Sequence, residues 1–154
     1  MIQRIQTVWL LISTIFSGLL IKGDIADFAN KTGQRFFIGF SGISKFNETG
    51  NDLITRSIPL KILIILIPLL SVVSILSFKS RRVQKILTQT VITFSICLII
   101  FIAIYSYILM NKYNAEFVPG IKIFFPIIIL VSAVLAYRGI SKDENLIKSY
   151  DRLR

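Results

Sequence analysis

The sequence predicts an all-α membrane protein: a four-transmembrane-helix bundle with a small extracytoplasmic loop or β element and a short cytoplasmic C-terminal amphipathic helix. The first observation is composition. Hydrophobic residues make up 54% of the 154 residues, and the mean hydropathy is +0.73, whereas soluble domains are about 45–50% apolar even when glycine is counted. The second is distribution, because the apolar residues form four long blocks. A water-soluble core of this size has no room for four such blocks.

Each block approaches the roughly 20 apolar residues that a helix needs to cross a bilayer. We therefore expect one membrane domain, 1–154, with spans at 7–21, 58–78, 86–110 and 121–137. For the first block a cleavable signal peptide is the alternative. Because no A-x-A pattern follows and Lys22 comes at once, we expect that block to be retained as a span.

The orientation is predicted from the short loop between the second and third blocks. It contains four basic residues and no acid: Lys79, Arg81, Arg82 and Lys85. Short loops rich in Lys and Arg stay in the cytoplasm. This loop is therefore predicted to be cytoplasmic. An even number of spans then places both termini there and the 22–57 loop outside.

The net charge of +10 would favour nucleic-acid binding in a soluble protein. Here the basic residues mostly flank apolar blocks, where they would meet lipid headgroups. The sequence shows neither a basic groove nor an aromatic platform for bases. We expect membrane lipid and a larger membrane protein complex as partners, and no nucleic acid.

The sequence predicts no catalytic, metal-binding or cofactor-binding residues. It has no histidine, and its single cysteine, Cys97, lies inside the third block. Weakly polar residues recur at helical spacing within the blocks, and in the third block they are Gln89, Thr93 and Cys97. We interpret these stripes as helix-packing faces. A polar pathway is the alternative, but no ionisable residue lies at mid-span, where an ion path usually needs one.

Two segments outside the blocks carry recognisable patterns. In the 22–57 loop, 34–40 is predicted to be a strand, with a second, shorter strand before or after it. In the 138–154 tail, Ser141 and Glu144 have the spacing of a capping box. Apolar residues then follow on one helical face: Leu146, Ile147, Tyr150 and Leu153. This predicts a short amphipathic helix that rests on the membrane, on the basic loop or on a partner.

The two ends of the chain carry a resemblance. The start MIQRIQTVWL and the finish KDENLIKSYDRLR resemble a Bacteroidota family of small four-span membrane proteins of unknown function. The resemblance implies a multi-pass protein of the bacterial inner membrane. It also implies that Arg4, Gln6, Asp151, Arg152 and Arg154 mark the cytoplasmic face. We hypothesise that Arg4 pairs with Asp151.

The leading functional hypothesis is a non-enzymatic accessory or interaction subunit of a larger membrane protein assembly. The alternatives are a small oligomeric transporter or channel module and a lipid-binding membrane protein. The candidate partner or lipid contacts lie at the predicted cytoplasmic face: Arg4, Lys79, Arg81, Arg82, Lys85, Leu146, Tyr150, Asp151, Arg152 and Arg154.

Overall fold

The computed structural model describes residues 3–30, 34–78 without 48–49, and 80–152, with side chains described for 5–30, 34–46, 53–78 and 80–144. The elements, in chain order, are α1 (Gln3–Leu19), β1 (Asp24–Asn30), β2 (Arg35–Gly39), β3 (Gly42–Asn47), β4 (Gly50–Arg56), α2 (Ile58–Leu76), α3 (Arg81–Tyr113), β5 (Ala115–Val118), a 3₁₀ turn (Ile121–Phe124) and α4 (Phe125–Arg152).

The fold combines these four helices with a five-stranded antiparallel sheet in the order β4-β3-β2-β1-β5. The prediction of an all-α four-helix bundle is therefore wrong. The 22–57 loop was expected to hold one or two strands and holds four, and β5 comes from the connection between α3 and α4. Strands of four to seven residues leave a weaker sequence pattern than a long apolar helix does.

The helices pack as neighbours in the order α1-α2-α3-α4, and α4 closes back onto α1. The sheet lies at one end of the helices, where β2 and β5 contact α3 and β3 contacts α2. Phe36 on β2 places its ring 4.9 Å from that of Tyr113 at the end of α3. The Asn30 side chain donates a hydrogen bond of 2.7 Å to the Tyr113 carbonyl. Because successive helices run in opposite directions, the start of α1, the α2–α3 turn and the late part of α4 gather at the other end.

Two backbone features shape the sheet. Asn114 adopts a left-handed conformation (φ 46°) after α3. Asparagine tolerates that conformation better than most residues do, and the chain can therefore turn directly into β5. At Gly42 (φ 129°), an added Cβ would lie 2.1 Å from the Thr55 carbonyl oxygen. Only glycine lets β3 approach β4 so closely there.

The helices differ from those of a water-soluble protein because they are apolar on the outside as well as in the core. Their interior is rich in buried hydroxyl side chains: Ser13, Ser17, Ser71, Ser74, Thr88, Ser95 and Ser132. Their outer surfaces carry half-exposed apolar side chains such as Ile15, Leu69, Ile100 and Ile127. Small and hydroxyl-bearing residues inside with aliphatic residues outside is the pattern expected of helices surrounded by lipid.

Three helical segments are long and apolar enough to cross a membrane: Ile58–Leu76, Arg81–Tyr113 and Ile121–Glu144. The sequence prediction of membrane-spanning helices is confirmed for these three. The segment Ile5–Leu19 of α1 is apolar but shorter.

Two further predictions need correction. The third helix buries Thr88 and Ser95, whereas Gln89 and Thr93 are exposed and Cys97 is half-buried. The Thr93 hydroxyl bonds to the Gln89 carbonyl of its own helix, and a hydroxyl satisfied in this way can face outward.

The second correction concerns the tail. There is no separate C-terminal amphipathic helix, because α4 runs without a break from Phe125 to Arg152. Ser141 and Glu144 therefore lie inside a helix, where no capping box is formed.

Candidate functional site

A cavity of about 300 Å³ lies at the end of the helices opposite the sheet. This end cavity is lined by α1, the α2–α3 turn, α3 and α4, and it is defined by seven lining residues of the described part of the chain. Two are apolar, Phe78 and Ile140, and five are polar: Gln6, Thr7, Arg81, Gln84 and Asp143. It is the best candidate site because it joins charged, amide and hydroxyl groups in one partly enclosed space.

Asp143 on α4 is the centre of the polar network. The Gln6 side-chain nitrogen donates a hydrogen bond of 2.7 Å to Asp143 Oδ2. The same oxygen lies 3.4 Å from Arg81 Nη1. Asp143 is only 6% exposed, and a buried carboxylate needs such partners to offset its lost hydration. The Asp143 carboxylate on α4 thus contacts side chains of both α1 and α3.

Gly139 permits the close approach of α1 and α4. A Cβ at this position would lie 2.8 Å from Gln6 Cγ and 3.4 Å from Gln6 Nε2. Because Gly139 has no side chain, Gln6 can lie flat over α4 and reach the Asp143 carboxylate one turn further along.

A second ion pair lies beside the cavity. Lys85 Nζ donates a hydrogen bond of 2.8 Å to Glu144 Oε2. The same ammonium lies 5.8 Å from the centroid of the Tyr137 ring, within the range of a cation–π contact. Arg81 and Lys85 lie one turn apart on α3 and meet adjacent acids on α4, so two ion pairs join these helices.

Hydroxyl groups continue the polar contacts from the cavity toward the middle of the helices. Ser74 Oγ on α2 lies 3.0 Å from Thr88 Oγ1 on α3, and both residues are buried. Both hydroxyls also lie within hydrogen-bond distance of the Gln84 carbonyl. The Gln84 side-chain amide, by contrast, forms no hydrogen bond with the part of the chain that the structure describes, although the residue is only 6% exposed.

The structure places the contact residues predicted from the sequence in different environments. The structure brings Arg81 and Lys85 to Asp143 and Glu144, while Arg82 is exposed. Lys79 lies outside the described residues. The remaining predicted contacts have no described side chain, so their docking and the Arg4–Asp151 pair fall outside the description: Arg4, Leu146, Tyr150, Asp151, Arg152 and Arg154.

Sequence reasoning missed the roles of Asp143, Gln84 and Gly139. The useful pattern was present: two acids follow the fourth apolar block, and two basic residues one turn apart precede the third. Segments that end on the same membrane side can pair such charges. The capping-box spacing predicts that Glu144 begins a local helix, and its tertiary pairing with Lys85 replaces that interpretation.

A smaller cluster of charged residues lies where the sheet meets the helices. Burial and the neighbouring Asp27 carboxylate raise the pKa of Asp24, and the Lys122 ammonium opposes this rise. Lys122 Nζ also donates a hydrogen bond of 3.1 Å to the Lys22 carbonyl. Within the described part of the chain, no group of three or more potential metal ligands occurs.

A protein-family model covers nearly the whole chain. The model described as "Domain of unknown function (DUF4293)" matches residues 2–153. The chain belongs to this family. Membership confirms the expectation of an uncharacterised family, while the Bacteroidota origin and the terminal motifs stay predictions. No curated protein matches the sequence.

Proposed function

We propose that this protein is a non-enzymatic integral protein of the bacterial inner membrane that acts as an accessory or interaction subunit of a larger membrane assembly. In this proposal it has four spans, with the end cavity at the cytoplasmic side and the sheet at the periplasmic side. The alternative is a small oligomeric transporter or channel module.

The positions of the charged residues along the helices support four membrane spans. Charged residues are absent from 5–21 in α1, 62–78 in and after α2, and 123–137 at the start of α4. At 1.5 Å per residue, helical stretches of this length are about 22–26 Å long, which approaches the roughly 30 Å of a bilayer core. The apolar side chains Ile5, Val8 and Leu11 are exposed along α1, as expected if this shorter helix also contacts lipid.

The distribution of basic residues supports the orientation. Arg81, Arg82 and Lys85 begin α3, and Arg138 and Lys142 follow at the same end of α4. Orientation depends on Lys and Arg more than on net charge. The pairing of Arg81 and Lys85 with acids therefore does not weaken this argument.

The observation that favours an interaction subunit is an apolar surface beside an open sheet edge. Phe37, Ser44 and Leu53 are cross-strand neighbours, on the sheet face opposite the one that carries buried Phe36 and Ile38. Phe46, one position along on that face, is 55% exposed and Leu53 is 57% exposed. β4 is an edge strand, whose unpaired backbone groups suit the addition of a strand from another protein. We infer that a partner subunit supplies that strand.

The test is purification of the full-length protein from membranes in mild detergent, with stoichiometric partners identified by mass spectrometry. Leu53→Lys places a charge on the β4 edge, a change that blocks edge pairing. Val118→Lys is the matched control, because Val118 is exposed on the opposite edge strand, β5.

The proposal predicts a stoichiometric partner that Leu53→Lys removes and Val118→Lys retains. A partner retained by both variants would refute the β4 edge as the interface. A homo-oligomer without other subunits would favour the transporter or channel alternative.

A further inference from the structure

The end cavity has the chemistry of a ligand site as well as of a structural joint. Among the residues whose side chains the structure describes, the charged lining residues are one cation, Arg81, and one anion, Asp143. The adjacent pair of Lys85 and Glu144 is also balanced. A ligand that carries both a positive and a negative charge therefore suits this cavity better than a singly charged ligand. A singly charged ligand would be repelled by the lining residue of the same sign.

Arg81 retains capacity for a second anion. Its distance of 3.4 Å from the Asp143 oxygen is longer than the 2.7–2.9 Å of a strong charge-assisted hydrogen bond. Its side chain is 29% exposed, and a guanidinium has five N–H donors. Arg81 also lies in the first turn of α3, where the helix dipole favours negative charge and where Ser80 makes no capping hydrogen bond through its side chain.

Gln84 gives independent evidence for a ligand. It lines the cavity, is only 6% exposed, and its amide has no hydrogen-bond partner among the residues with described side chains. Gln84 lies one turn after Arg81 and lines the same space, so its amide is available to donate a hydrogen bond to a ligand there. Phe78 and Ile140 complete the cavity with apolar walls.

We propose that the end cavity binds the headgroup of a zwitterionic phospholipid that bears a primary ammonium. The phosphodiester lies against Arg81, the Gln84 amide and the start of α3. The ammonium lies against Asp143, and the first acyl-chain carbons contact Phe78 and Ile140. This inference rests on the proposed membrane placement, since that placement puts the cavity at the level of the headgroups.

The test uses delipidated full-length protein in detergent, with lipid binding followed by native mass spectrometry and by the shift of the unfolding temperature. The probes are phosphatidylethanolamine, phosphatidylglycerol and soluble glycerophosphoethanolamine. Phosphatidylethanolamine is expected to bind and stabilise most. Phosphatidylglycerol lacks the ammonium and is expected to bind at least about tenfold more weakly, the equivalent of one hydrogen bond to a charged group. Glycerophosphoethanolamine lacks the acyl chains, whose burial favours binding, and is also expected to bind at least about tenfold more weakly.

Two variants and one control identify the site. Gln84→Leu keeps approximate size and removes only an amide that has no described protein partner, so it is expected to fold normally and to lose about tenfold in phosphatidylethanolamine affinity. Arg81→Gln is expected to lose more. Arg82→Gln, a change at the exposed neighbour, removes the same charge outside the cavity and is expected to bind normally.

Equal binding of both lipids, or equal losses from Arg81→Gln and Arg82→Gln, would show nonspecific surface attraction and overturn the proposal. Glycerophosphoethanolamine binding as tightly as the lipid would show a soluble phosphodiester as the ligand instead. Unchanged binding by Gln84→Leu would also overturn it. Leu53 lies at the other end of the molecule. The Leu53→Lys purification therefore tests the subunit proposal independently of the lipid-binding measurements.

Discussion

Gly139→Ala tests the contact between α1 and α4 at the end cavity. The new methyl group would lie 2.8 Å from Gln6 Cγ, so the Gln6 side chain must move. Movement breaks its 2.7 Å hydrogen bond to Asp143, and a hydrogen bond to a charged group contributes about 1.5–3 kcal/mol. Alanine in place of glycine inside a helix stabilises the helix by about 1 kcal/mol. The expected net loss is about 0.5–2 kcal/mol of unfolding free energy.

The sign should reverse when Gln6 is removed. In a Gln6→Ala background the hydrogen bond is already lost, and the three atoms nearest to the added Cβ at position 139 are removed. Gly139→Ala is then expected to stabilise the protein by up to about 1 kcal/mol through helix propensity alone. The two single variants, the double variant and the wild type form a double-mutant cycle.

The assay is reversible unfolding of the four purified proteins in mild detergent, followed by far-UV circular dichroism. Independent sites give additive effects within about 0.3–0.5 kcal/mol. If Gly139→Ala changes stability by the same amount and sign in both backgrounds, the Gln6–Gly139 contact and the hydrogen bond that depends on it are refuted.

Two further predictions use the charged groups. Asp143→Ala is expected to cost about 2–3 kcal/mol in the same assay, below the 3–5 kcal/mol of a fully buried pair because its cationic partner reaches solvent; the control Glu144→Ala removes a more exposed carboxylate and should cost less, and equal losses would contradict the central role of Asp143. Asp24→Asn is expected to raise the unfolding temperature at pH 7. Burial and Asp27 raise the pKa of Asp24 above its ordinary 3.8, so the ionised carboxylate disfavours folding at that pH. The gain should shrink as pH falls through the raised pKa of the folded state and vanish below 3.8, where the wild-type carboxyl becomes protonated in both states, and a gain independent of pH would contradict this reasoning.

The positions of the helices are predictable from the sequence because lipid-facing helices require long apolar blocks. The block 58–78 coincides closely with α2, and 86–110 lies inside α3. α3 also extends to Arg81 and Tyr113, because polar residues continue a helix once it leaves the apolar layer. Hydropathy alone does not mark such ends.

The sheet and the cavity depend on contacts between distant residues. β5 has only four residues and pairs with β1, which lies more than 80 residues earlier. The local sequence therefore does not predict this strand. Asp143 meets Gln6 across 137 positions. The sequence shows Asp143 near Ser141 and Glu144, and local capping rules then favour a helix start. The tertiary partners Gln6 and Arg81 determine the outcome instead.

In the proposed topology, the sheet lies outside the membrane and the end cavity lies on the cytoplasmic side. Single cysteines introduced in a Cys97→Ala background, Thr55→Cys on β4 and Ser80→Cys before α3, test this topology directly, because both positions are exposed. In spheroplasts, a membrane-impermeant maleimide is expected to label Thr55→Cys at once and Ser80→Cys only after the membrane is opened. Labelling of Ser80→Cys alone would invert the topology, and immediate labelling of both would contradict the membrane-spanning arrangement.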